Sequence, residues 1–357
     1  MSLPFSPNLP INKLASSFAN TSATYKFYWL IAIIELVEEG NQVIKKRKIF
    51  SRMISNSWYT VNYFHLSFGK QDLIQKAVKE IIVFEKMAID EKKDKIISIL
   101  ENTSNIFTQR SLNHFNINVP HWFLSTWFPK IKGENDASHK NRIYFLSQSF
   151  QNDCLYGLSD DEIIINPKWI SYLKLNSKIL KDFCYWNLAL FLQSRNPNVP
   201  DIPNKLIKPA IRNGLIKQRN NYWNIVFREL GSVNCIFTDK KLLIDNFAID
   251  HFIPHAFVSH NLIWNLIPID KSFNSSKSDK LPSIDKHFDK FFELQKTAYE
   301  IVSNQNSKNK FLEDYLTIFP NLNNCNEFEY LKYKGSIQPL ITIAHNNGFS
   351  FLEEENG

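Results

Sequence analysis

Asp250 and His251 stand side by side, and Asn274 follows 23 residues after the histidine. Between and beyond them lie Asn265 and the run Lys277-Ser278-Asp279. These residue types are what hydrolysis of a phosphodiester with one metal ion requires. The reaction needs an activated water, relief of charge on the phosphoryl group and a stabilised leaving oxygen. A neutral imidazole takes a proton from water near neutral pH, and an ordinary histidine loses that capacity below about 6.5. A hard divalent cation neutralises the phosphoryl and leaving oxygens. Mg²⁺ keeps several waters and needs few protein oxygens; Asp250 and Asn274 supply two. Neighbouring side chains of a strand point to opposite faces, so the Asp250 carboxylate is expected on one side and the His251 imidazole on the other.

The elements that must hold these residues form the second half of an α+β chain. Strands are expected at 235–237 and 242–249, around the polar turn TDKK, and at 266–269. Asp270 stands where an N-cap opens a helix through Asn274. A helix over 217–230 precedes this block, and an amphipathic helix over about 286–303 follows it. The first half reads as mainly helical. Ser22 is placed to cap a helix over 23–39 with Gly40 just past its end, and its middle, FYWLIAII, is apolar on every side, as in a core helix. Further helices are expected over about 70–100 and 169–193, with short strands at 142–146 and 162–165. NPNVPDIPNK at 196–205 carries three prolines in ten residues and is the best boundary signal. The expected layout is a helical domain over 1–195 and a second domain over 205–357.

Composition narrows the function classes. The chain has 357 residues, 44% hydrophobic and 14% aromatic, enough to build a real core. Its longest apolar run, Phe27 to Ile34, is too short to span a bilayer. The N-terminus lacks the pattern of a secretory leader, and four scattered cysteines without a CxxC pair fit a reducing cytoplasm. Nine glycines form neither GxGxxG nor GxxxxGK, so no nucleotide cofactor is indicated. The net charge of +7 is uneven: residues 1–204 hold 24 Lys+Arg against 18 Asp+Glu, whereas the rest holds 18 against 17. Basicity of this size is compatible with a nucleic-acid partner. Arg212, Lys217 and Arg219, just before the motif, are candidates to grip a phosphate backbone. The run Lys45-Lys46-Arg47-Lys48 reads by default as a solvated face. His255 and His260 read as loop or substrate-edge residues, and Trp264 as core packing.

The joint spacing Asp250-His251…Asn265…Asn274…Lys277-Ser278-Asp279…Pro282 resembles the HNH nuclease superfamily, whose core is a ββα-metal finger. Over 235–282 it looks very like the HNH domain of RNA-guided CRISPR effector nucleases. The resemblance implies a metal-dependent endonuclease acting on DNA. Asp250 and Asn274 would be ligands to Mg²⁺ or Mn²⁺, and His251 the general base. Asn265 would brace the loop and orient the histidine through backbone hydrogen bonds. Lys277 would lie near the scissile phosphate. The products would be a 5′-phosphate and a 3′-hydroxyl. Many relatives bind a structural zinc through two CxxC pairs; only Cys235 stands at such a place here, with Asp239 nearby, so no structural zinc is expected. The chain is too short for a whole RNA-guided effector. The N-terminal stretch LPINKLASSFANTSATYKFYW is similar to the leader of bacterial defence-associated HNH proteins, which implies a restriction or phage-defence setting; the helical half is expected to choose the substrate or bind a partner protein. Two other readings stay open: a nucleic-acid-binding or assembly protein with little cleavage, and a nuclease acting on RNA.

Overall fold

A computed structural model describes residues 3–19, 21–207, 214–322 and 324–352; Arg212 lies outside them. The chain divides into two compact units, Met1–Pro197 with Ile202–Lys208, and Asn198–Asp201 with Pro209–Gly357.

The first unit is built around the helix Tyr25–Glu38, in which every residue from Phe27 to Ile34 is buried. A helix apolar on all sides must be covered all round, and Lys46–Asn62, Ser177–Arg195 and Pro167–Leu175 pack against it. Ser22 does not cap it. Thr24 occupies the N-cap, and its amide and hydroxyl both donate to Asp72 Oδ2, at 2.6 and 2.7 Å. Gly40 closes the other end at φ +94°, a conformation glycine adopts without strain.

A small antiparallel sheet joins β1 (Val43–Lys45), β2 (Tyr156–Leu158) and β3 (Glu162–Ile165) in the order β1-β3-β2. The strand expected at 142–146 is instead part of the helix Asp136–Gln148, whose buried line His139, Ile143, Ser147 repeats every four residues. The single helix expected over 70–100 is two, Leu73–Phe84 and Lys93–Asn102. Lys86 turns left-handed at φ 50°, and Met87 N reaches back to Ile82 O at 3.0 Å. That is a Schellman stop without the glycine that usually announces one. The helix expected over 169–193 also divides, at Asn176, into Pro167–Leu175 and Ser177–Arg195. The basic run is not simply a solvated face. Lys46 is buried with Nζ on Asp160 O, and Arg47 holds the carbonyls of Leu100 and Thr103.

The second unit opens with Ile216–Gln218, a π-turn at Arg219–Trp223 and the helix Asn224–Leu230. Strands β4 (Val233–Asn234) and β5 (Lys241–Leu242) form a hairpin. Residues 236–238 are turn rather than strand. The stretch 242–249 is not one strand either, because Asn246 N bonds Leu243 O at 2.8 Å and folds a turn into it. Strands β6 (Ala248–His251) and β7 (Leu266–Ile269) pair antiparallel, with Asp250 opposite Ile267 and His251 opposite Leu266. The helix Lys271–Lys277 follows at once, capped by Asp270, whose carboxylate accepts from the amides of Ser272 and Phe273. The long helix Ile284–Gln305 and the helix Tyr330–Asn346 pack together behind this ββα element. Phe252 stacks on Phe291 with centroids 3.9 Å apart. Among the described residues no helix is long and apolar enough to cross a membrane.

Candidate active site

His251 is the last residue of β6, and the chain turns away immediately after it. The strict alternation of a strand therefore no longer applies to its side chain. His251 Nδ1 lies 4.0 Å from Asp250 Oδ1, so the two groups stand together rather than on opposite faces. The other ring nitrogen, Nε2, is 3.1 Å from His260 O and 3.0 Å from Asn261 Oδ1. A backbone carbonyl can only accept, so Nε2 carries the proton and Nδ1 keeps the lone pair. The ring is 6% exposed. Burial, and next the neighbouring His255, push its pKa down to about 3, while the Asp250 carboxylate pulls the other way. The imidazole is thus neutral across a far wider range than the ordinary value near 6.5 would allow.

Asn265 is wholly buried. Its Oδ1 accepts from Ile253 N at 2.8 Å and its Nδ2 donates to Ile253 O at 2.9 Å. Its own carbonyl accepts from Phe252 N at 2.7 Å. One side chain thereby fixes both backbone groups two residues beyond His251. The turn around Asn265 is held from behind. Gln295 Nε2 donates to Leu266 O at 2.7 Å, Asp314 accepts from Ile263 N at 2.8 Å, and Tyr333 donates to Trp264 O. Tyr315 donates in turn to Gln295 Oε1. None of these, nor Asn261, has a signal in the sequence spacing: Asn recurs throughout the chain, and the others lie on later elements.

Lys277 is not at an open phosphate-binding surface. Its side chain is fully buried, with Nζ 2.7 Å from Asp250 Oδ2 and 2.8 Å from His251 O. Asn274 is one helical turn earlier and shares that helix face. Its carboxamide makes no hydrogen bond among the described residues, and neither does Asp250 Oδ1. A carboxylate oxygen and an amide oxygen, both unspent, suit a hard cation such as Mg²⁺ or Mn²⁺ that keeps most of its waters. Among the described residues no group of three His, Cys, Asp or Glu could hold a metal, so a cation here would rest on Asp250 and Asn274.

The two basic candidates ahead of the motif differ. Lys217 is exposed. Arg219, expected on a nucleic-acid backbone, is instead a strut: its guanidinium donates to Phe247 O at 2.9 Å and Ile244 O at 3.1 Å. It also lies 4.1 Å from the Phe247 ring centroid. His255 stacks edge-on to His251 at 5.1 Å, and His260 leans on the buried Trp264. Cys235 is buried, and Asp239 beside it pairs with Lys290.

No curated protein and no solved structure matches this chain. Residues 235–283, from Cys235 through the strand bearing Asp250 and the helix bearing Asn274 to one residue past Pro282, match the family model of HNH endonuclease, and over that stretch the chain is similar to these nucleases.

Proposed function

We propose that the second unit is a metal-dependent endonuclease that hydrolyses DNA phosphodiester bonds. The observation that carries this reading is the placement of the His251 imidazole against the Asp250 carboxylate. The ring's protonated nitrogen is anchored on His260 O, and its basic nitrogen lies 4.0 Å from Asp250 Oδ1, an oxygen without a hydrogen bond among the described residues. Mg²⁺ or Mn²⁺ bound there would draw charge from the phosphoryl oxygens. His251 Nδ1 takes a proton from water as the water oxygen bonds to phosphorus. The bond from phosphorus to the 3′ oxygen breaks and that oxygen takes a proton from solvent, leaving a 5′-phosphate and a 3′-hydroxyl. Asn261 holds the ring directly, and Asn265 fixes the backbone that follows it.

The helical unit, with the larger share of the positive charge, would select the substrate or engage a partner protein. A cytoplasmic role in bacterial restriction or phage defence follows from the resemblance of the sequence. The test is nicking of supercoiled plasmid in Mg²⁺ with and without EDTA, run in parallel on structured RNA. Wild type should nick DNA only with the metal, and His251→Ala should lower the rate by roughly 10²–10⁴-fold with an unchanged circular-dichroism spectrum. Cleavage of RNA alone would reassign the substrate. Binding without cleavage would make the unit a nucleic-acid grip.

A further inference from the structure

We propose that Lys277 is the built-in counter-charge of the cation site: it neutralises Asp250 in the free protein and keeps affinity for a free divalent ion low until a substrate phosphate arrives. This rests on the nuclease reading and adds to it an order of assembly. Lys277 extends inward from the last turn of its helix, is 0% exposed, and among the described residues bonds Asp250 Oδ2 and His251 O. It cannot swing to solvent without leaving a part-buried carboxylate and a carbonyl without this donor, and that is costly. Asn274, the other candidate ligand, brings no charge. Asp250 and Lys277 therefore cancel, and a dication arriving alone gains little for the waters it must shed. It would also sit beside an ammonium held 2.7 Å from its own ligand, and that like charge repels it. A phosphodiester supplies the missing negative charge. The bond to Oδ2 holds the carboxylate so that Oδ1, without a hydrogen bond among the described residues, is the oxygen left for the ion.

The experiment measures Mn²⁺ alone binding to the full chain without nucleic acid, by the loss of the free-ion electron paramagnetic resonance signal. Lys277→Gln keeps an amide donor and removes the charge. It should tighten the Mn²⁺ Kd by about tenfold or more, from the like-charge term alone. Adding Asp250→Asn to Lys277→Gln should abolish the gain. An unchanged or weaker Kd in Lys277→Gln overturns the proposal. If that variant does not fold by circular dichroism, Lys277→Met is measured in its place with the same two outcomes. The two readings separate cleanly. Plasmid nicking by wild type with no gain in Lys277→Gln defeats the counter-charge alone. An Asp250-dependent gain in a protein that never cuts nucleic acid defeats the nuclease reading.

Discussion

Asn265 makes no contact with the place where a substrate would react, yet the site geometry depends on it. Its amide occupies both Ile253 backbone groups inside the protein, and no water can replace it there. Asn265→Ala strands a buried N–H and a buried C=O, each costing about 1–3 kcal/mol. Urea unfolding followed by tryptophan fluorescence should show a loss of roughly 2–6 kcal/mol. A loss below 1 kcal/mol would mean that Ile253 finds other partners. Asn265 and Asn274 stand out in the sequence only through their joint spacing from His251, and the bracing of Ile253 by Asn265 is what the structure adds. Asn261, which takes the same ring from its other side, does not stand out, since one more asparagine in so asparagine-rich a chain carries no signal. The inward direction of Lys277 was equally hidden: spacing places a residue on a helix face but does not say whether its charge meets solvent or a carboxylate.

The Lys271–Lys277 helix shows what was legible among the elements. Asp270 as its cap and the strand at 266–269 stand where local chemistry puts them, because an N-cap and a short apolar run act within a few residues. The misplaced elements depend on remote partners. Thr24 begins its helix through Asp72, 48 positions away, and Lys86 ends one in a conformation the sequence gives no reason to expect. The Lys271–Lys277 helix also ends on an unusual residue, Ser278, at φ 46° and ψ −126°. A side chain there is strained by about 1–3 kcal/mol, and glycine is not. Ser278→Gly should therefore raise stability by roughly 0.5–1 kcal/mol after glycine's own entropy cost, seen as a higher Tm in differential scanning calorimetry. A lower Tm would show that the Ser278 side chain contributes more than its backbone costs.

At the scale of the whole molecule, pH should act on the helical unit through His121. Burial first, then the charges of Lys46 and Lys140, push its pKa down to about 4. The unfolded chain binds that proton near 6.5. Stability from this group is complete above about 6.5 and drains away as pH falls toward 4. Asp72, raised by burial, acts with the opposite sign, so the readout is a difference. Between pH 7 and pH 4.5, wild type should lose more Tm than His121→Gln does. Equal losses would remove His121 from the acid response. The guanidinium of Arg219 has a mechanical consequence for the second unit. It grips Ile244 and Phe247, the residues that lead into the strand bearing Asp250. A nudge to the opening helix of that unit would thus be felt, through one planar fork, at the carboxylate itself.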